Sequence, residues 1–284
     1  MNILVLGATG MAGHTIALYF KEKGHNVVAY SRSSFPYCDN IVGDVFDKDR
    51  LIYVLQNVKY DVVINCIGIL NNDAAENPSK AVYLNSYIPH FIVDILRDFD
   101  TKFIHMSTDC VFAGNTGPYT ENSLCDGRTF YDLTKAIGEV KDGKNLTFRN
   151  SIIGPDMHEN GIGLFNWFMK QSGNIYGFSG ALWTGVTTLT LAKAMEKAIE
   201  DNLCGLYHLV NNESISKFDL LKLFSRHFKK KSLTIIDEFT IQLDKSLINT
   251  REDFEFVVPS YDQMISEMKE WVSKHPYLYE HYAV

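Results

Sequence analysis

The chain has 284 residues, a formal net charge of −7, 46% hydrophobic and 21% charged residues. That length suits about two lobes with a core needing neither disulfides nor metals, and the acidic balance argues against a dedicated nucleic-acid binder. No apolar stretch approaches ~18 residues, so no membrane span is expected. The opening MNILVLGATG lacks the basic region of a secretion signal, and Cys38, Cys66, Cys110, Cys125 and Cys204 form no C-x-x-C pair, so a reducing, cytoplasmic setting is expected.

Short apolar runs alternate with helical periodicity through the first half. Residues 2–6 read as a strand closed by Gly7, 12–23 as a helix ended by Gly24 as a C′ glycine, and 27–30 as the next strand. A helix follows over 48–57 and a strand over 61–67. A long helix over 78–99 should be kinked or split at Pro89. Strand 102–107, helix 130–140 and strand 146–150 complete this half. The strands are continuous apolar runs, which suits a sheet covered on both faces. The expected fold is therefore α/β, a doubly wound parallel sheet. Beyond residue 150 come a glycine-punctuated, aromatic segment over 162–180, helix 188–200, one more buried strand over 205–210, and helices 217–228 and 261–275. With no linker in view, a smaller C-terminal lobe should interleave with the first.

GATGMAG places Gly7, Gly10 and Gly13 between the first strand and its helix. Gly7 permits the sharp turn, Gly10 lets backbone approach a pyrophosphate, and Gly13 allows close helix–strand packing. The free N–H groups at the helix N-terminus favour an anion. The acid that would hold an unphosphorylated ribose after the second strand is missing. Ser31, Arg32 and Ser33 stand there instead and suit a ribose 2′-phosphate, so NADPH is the expected cofactor, with NADH also allowed. The bland alternative for Arg32 is stacking on adenine or pointing into solvent. Asp44 and Val45 fall where the third strand should address the adenine.

Tyr131 and Lys135 lie four apart, on one face of the expected helix. At ~4–5 Å and an effective dielectric of about 20, the ammonium would stabilise phenolate by roughly 3–4 kcal/mol, lowering the phenol pKa by about two. Tyr19 and Lys23 share the spacing without the surroundings, so spacing alone is weak.

GATGMAG, HMSTDCVFAG, GPYTENS and YDLTKAIGE together resemble the extended short-chain dehydrogenases, and within them the dTDP-4-dehydrorhamnose reductase group of sugar-nucleotide 4-ketoreductases. The resemblance is strong over 1–150 and looser over 151–284. It implies a Rossmann domain over 1–152, completed by about 184–212, and a sugar-nucleotide lobe over 153–183 and 213–284. It places Thr108, Tyr131 and Lys135 at catalytic positions. Gly7, Thr9, Gly10, Met11, Ala12, Gly13, Ser31, Arg32, Asp44, Val45, Cys66, Ile67, Gly68 and Lys135 would meet the cofactor. Thr108, Asp109, Tyr131, Asn150, Trp183 and Arg251 would meet a nucleotide-sugar substrate.

The implied reaction is reduction of the C4 ketone of an NDP-4-keto-6-deoxy sugar, dTDP- or N-acetylated UDP-linked, for cell-surface polysaccharide synthesis. Tyr131 would donate the proton, Thr108 bind the carbonyl oxygen, and Lys135 hold the nicotinamide ribose. In related 4,6-dehydratases a glutamate follows Thr-Asp. Here Cys110 replaces it, which argues against water elimination. Two segments depart from the rhamnose enzymes: Arg149, Asn150, Ser151 and Ile152 replace a Thr-Ser-Trp run, and Leu182, Trp183, Thr184 and Gly185 replace Arg-Pro-Thr. The alternatives are an NDP-sugar epimerase and a non-catalytic relative like the methionine adenosyltransferase regulatory subunit. A homodimer is left open.

Trp183 and Arg251 could stack on a base or pair with a diphosphate, or simply pack. His105 and His208, inside apolar strands, are expected to be structural. Glu121 would touch substrate or cap a turn. Arg226 with Lys229, Lys230 and Lys231 reads as a solvated helix end. No His/Cys/Asp spacing resembles a zinc site.

Overall fold

The computed structural model describes residues 1–228 and 233–282. Six strands of the first half are β1 (Asn2–Leu6), β2 (Asn26–Ser31), β3 (Asp39–Val42), β4 (Val62–Asn65), β5 (Lys102–Met106) and β6 (Leu146–Arg149). With strand Gly205–His208 they form one seven-stranded sheet, ordered Gly205–His208, β6, β5, β4, β1, β2, β3. Every neighbouring pair is parallel. This is the doubly wound sheet that the apolar rhythm predicts.

The continuous apolar runs have a direct explanation. Along β1, Ile3 and Val5 enter one core with helix α1 (Met11–Glu22) and the C-terminal helices. Leu4 and Leu6 enter another with helix α2 (Lys48–Asn57) and Ile88. Both faces being covered, Ile3 to Leu6 are all apolar. Because β1 lies between β2 and β4, the chain order reverses there, and a crevice opens at the carboxyl ends of these strands.

The helical stretch expected over 78–99, with a kink or split at Pro89, comes in several pieces. Helices Asn71–Glu76 and Pro78–Ala81 lead into a π-helical stretch, Val82–Tyr87, before helix Ile88–Ile95. Pro89 has no N–H to give the Asn85 carbonyl, its partner four residues back. That carbonyl instead lies against Gly138, where an added Cβ would sit 1.8 Å from it. The same glycine ends helix Phe130–Ile137, three residues short of its expected end.

The second half adds helices Leu164–Met169, Thr188–Glu200, Lys217–Phe228 and Tyr261–Lys274. Its short sheets pair Gly173–Phe178 with Leu233–Glu238 and Ala181–Trp183 with both Ile215–Ser216 and Leu243–Asp244. Of the basic cluster, Arg226 pairs with exposed Asp262 at 3.3 Å, while Lys229, Lys230 and Lys231 lie outside the described residues. Among the described residues no helix is long and apolar enough to cross a membrane.

Candidate active site

A cleft of about 370 Å³ lies at the reversal point of the sheet. Gly7 ends β1 with φ +79°, a conformation that favours glycine. A Cβ on Gly13 would meet the Gly7 carbonyl at 2.2 Å, so α1 sits directly on the turn. Gly10 caps α1 without a side chain, leaving the amides of the first helical turn near the cleft.

Of the expected cofactor residues, Gly7, Thr9, Gly10, Ser31, Arg32, Asp44, Val45, Cys66, Ile67 and Gly68 line this cleft. Met11, Ala12 and Gly13 stand back within α1. Arg32 is exposed at the cleft, while Ser31 Oγ donates to the Ser33 carbonyl at 2.8 Å. The Tyr30 hydroxyl also borders the cleft, buried and with no hydrogen-bond partner among the described residues. His158 and Ile162 close it from the second half of the chain. Sequence reasoning missed both, since neither lies near a recognisable motif. A glycine turn, a helix N-terminus and a cation in one elongated cleft fit a nicotinamide dinucleotide.

The catalytic candidates stand beyond β5. Thr108 Oγ accepts from the Cys110 amide at 3.2 Å and donates to Asp109 Oδ1 at 3.1 Å. Ser151 Oγ donates to the same carboxylate oxygen at 3.1 Å. The helix bearing Tyr131 and Lys135 starts at a capping box, with Thr129 accepting from the Asp132 amide and Asp132 accepting from Thr129. Tyr131 is buried beside Thr108, and burial, then Cys110, holds its pKa above the usual tyrosine range, with Thr108 acting the other way.

This corrects the expectation that Lys135 draws the phenol toward neutrality. The Lys135 ammonium donates to the Met106 carbonyl and lies 3.5 Å from His105 Nε2. Burial lowers its own pKa to about 8. His105, whose Nδ1 meets Asn65 Nδ2 at 3.2 Å, is held well below its ordinary pKa by burial and then by Lys135. An uncharged imidazole thus packs behind the lysine. Asn85 fastens the surrounding loops: its Oδ1 accepts from the Ile69 amide, and its Nδ2 donates to the Ile69 carbonyl and to Thr134 Oγ.

The departure at Arg149 has a structural cause. Its guanidinium is fully buried and forked onto Glu139, with Nε to Oε1 at 2.7 Å and NH2 to Oε2 at 2.6 Å. NH1 donates to His208 Nε2 at 3.0 Å, and His208 Nδ1 lies 3.0 Å from the Ile248 carbonyl. Ser107 Oγ adds a bond to Glu139 at 2.7 Å. Glu121 accepts from the His208 and Thr250 amides, so it joins loops. Beside this network Asn150 is buried, and its Oδ1 has no partner among the described residues.

Two substrate expectations fail. Arg251 stands at the start of strand Gly205–His208, at the amino end of the parallel sheet. Its guanidinium is committed to Asp253 and to the Cys204 and Leu206 carbonyls. Trp183 is buried against Tyr261 and Gly185, so it has no open face for a base. The group on its ring is the Lys217 ammonium, 4.8 Å from the centroid. Burial lowers the Lys217 pKa to about 8, while Asp109 and then Cys110 act against that lowering. Sequence reasoning missed Lys217, which opens an ordinary amphipathic helix. Among the described residues no cluster of three or more His, Cys, Asp or Glu is placed to hold a metal.

Comparison with known proteins adds a family. A model described as the RmlD substrate binding domain matches residues 1–247. A probable low-salt glycan biosynthesis reductase, Agl14, of Haloferax volcanii is 34% identical over 143 residues, 49% of this chain and 48% of that protein. The chain thus matches about half the length of that relative. The dTDP-4-dehydrorhamnose reductase of Escherichia coli K12 is 25% identical over 83% of this chain and 81% of its own. In shape, the dTDP-4-dehydrorhamnose reductase of Bacillus anthracis, solved in complex with NADP, aligns with a TM-score of 0.79 at 18% identity, covering 94% of this chain and 98% of that one.

Proposed function

Since the chain belongs to the RmlD substrate binding domain family, we propose that it reduces the C4 ketone of an NDP-4-keto-6-deoxy sugar, with NADPH as preferred donor. The observation that carries this reading is the buried Thr108–Tyr131 pair, with Lys135 one helical turn on. Beside them lies a cleft built around a glycine turn. The cofactor supplies a hydride when bound. Arg32 would face the 2′-phosphate and the first turn of α1 the pyrophosphate, with Lys135 at the nicotinamide ribose.

The remaining chemistry belongs to the side chains. Tyr131 binds the substrate carbonyl oxygen, joined by Thr108 as its hydroxyl hydrogen turns from Asp109, and Tyr131 releases its proton to that oxygen as it becomes an alcohol. A phenol with a raised pKa stays protonated at neutral pH, as a proton donor must. Asp109 fixes the Thr108 hydroxyl, and Ser151 fixes Asp109. Asn150 Oδ1 offers a buried acceptor for a donor group on the sugar. Lys217, held over Trp183, offers a cation to the diphosphate.

A panel of dTDP- and UDP-linked 4-keto sugars, assayed for NADPH oxidation, tests the reading. A reductase consumes NADPH in proportion to sugar reduced. An epimerase produces a new sugar without net oxidation, and a regulatory relative does neither. Either of those last results overturns the proposal.

A further inference from the structure

Residues 275–282 follow the last long helix and lie beyond the part of the chain matched by the family model. Tyr279 and Tyr282 are both buried there, their rings stacked at 5.9 Å between centroids. From this pair, hydrogen bonds run to both rims of the cofactor cleft.

The first path reaches the glycine turn. His14 Nδ1 lies 2.9 Å from the Gly10 carbonyl, and His14 Nε2 lies 2.8 Å from the Tyr279 hydroxyl. A carbonyl only accepts, so Nδ1 carries the hydrogen and Nε2 accepts from Tyr279. Trp271 Nε1 in turn donates to the Tyr279 oxygen at 3.0 Å. Every bond therefore points one way, from Trp271 through Tyr279 and His14 to Gly10. Burial lowers the His14 pKa to about 4, which keeps this neutral tautomer in place at neutral pH.

The second path reaches the opposite rim. The Tyr282 hydroxyl accepts from the Asp156 amide at 2.8 Å, and Asp156 Oδ1 accepts from the His158 amide at 2.9 Å. Asn166 Nδ2 donates to the Glu159 and Gly161 carbonyls at 2.9 and 2.6 Å. His158 and Ile162 of this loop line the cleft. At its end, an added Cβ on Gly163 would meet Met11 Sδ at 2.8 Å. The loop is thus laid against the first residue of α1.

We propose that Tyr279 and Tyr282 are positioning residues for the cofactor, one holding the glycine turn and the other the 156–163 loop at the spacing a dinucleotide requires. The proposal rests on reading the cleft as a nicotinamide-dinucleotide site. It assigns to the segment beyond the family match a part in cofactor affinity, without contact with the cofactor itself.

The test is NADPH titration and steady-state kinetics of Tyr279→Phe, Tyr282→Phe and the double variant, with Tyr277→Phe as control. Tyr277 lies on the same segment and is half exposed. Each single variant should raise the NADPH Kd and KM by about three- to tenfold, the size of one neutral hydrogen bond. At saturating NADPH, kcat and the nucleotide-sugar KM should stay within about twofold of wild type. Should Tyr279→Phe not fold, His14→Gln breaks the same path. Unchanged NADPH affinity in the folded variants, with wild type binding normally, overturns the positioning role alone. Failure of wild type to bind NADPH or NADH overturns the reading of the cleft as well.

Discussion

Tyr131 lies buried beside Thr108, Cys110 and Asp109, while Lys135, one turn further along the same helix, donates to the Met106 carbonyl. The division matters for proton transfer. A phenol ionising near neutrality would often lack the proton it must deliver, whereas burial among Cys110 and Asp109 keeps this one loaded. In the proposed reading, the lysine would contribute a positive charge to the cofactor's ribose instead of tuning the phenol.

Tyr131→Phe should therefore slow single-turnover hydride transfer by about 10²–10⁴ while changing NADPH affinity by less than ~1 kcal/mol. Tyr19→Phe is the control, because Tyr19 Oη donates to Glu196 on helix Thr188–Glu200, away from the cleft. Its turnover should stay within a few-fold of wild type. Wild-type rates in Tyr131→Phe would remove the phenol from the mechanism.

The fold was legible because β1, β2, β4 and β5 feed two cores, which forces near-continuous apolar runs. The glycine turn was legible because Gly7 and Gly13 leave no room for a side chain. The failures have equally physical causes. Arg251 resembled an anion-binding residue, but its partners Asp253, Cys204 and Leu206 converge only in three dimensions. The direction in which Lys135 points depends on Met106 and His105, thirty residues away and invisible to helical spacing. Lys217, His158 and Ile162 reach the site through the folding of the second half over the first.

Arg32→Ala should weaken NADPH binding by about 1–3 kcal/mol and NADH binding far less, the signature of a charge-assisted contact to the 2′-phosphate. Calorimetric titration of both cofactors checks this. Equal losses would mean that Arg32 does not read that phosphate.

Lys217→Met keeps an apolar stem over Trp183 and removes the cation. It should raise the KM for the nucleotide sugar by about tenfold or more, with NADPH affinity unchanged. An unaltered substrate KM would remove Lys217 from diphosphate recognition.

Acid should destabilise the protein before its carboxylates titrate. Burial holds His14 and His208 near a pKa of about 4 against an ordinary 6.5. Below pH 6.5 the unfolded chain takes up protons that the folded one refuses, so stability falls as pH drops from 6.5 toward 4. For His14 the full loss is on the order of 3 kcal/mol at about 1.4 kcal/mol per pH unit. Urea unfolding at pH 7, 6 and 5 should show the decline, and His14→Gln should flatten it. A pH-independent midpoint across that range would contradict the assignment of a buried neutral His14.

The most direct measurement of the whole account follows an isotope. The protein is incubated with NADPH carrying deuterium at both hydrogens of nicotinamide C4 and with an NDP-4-keto-6-deoxy sugar, and the product is examined by mass spectrometry. Reduction predicts one deuterium bound to carbon in the product sugar, with one NADP⁺ formed per sugar reduced. A sugar product free of deuterium, formed while the NADPH is recovered intact, would contradict it.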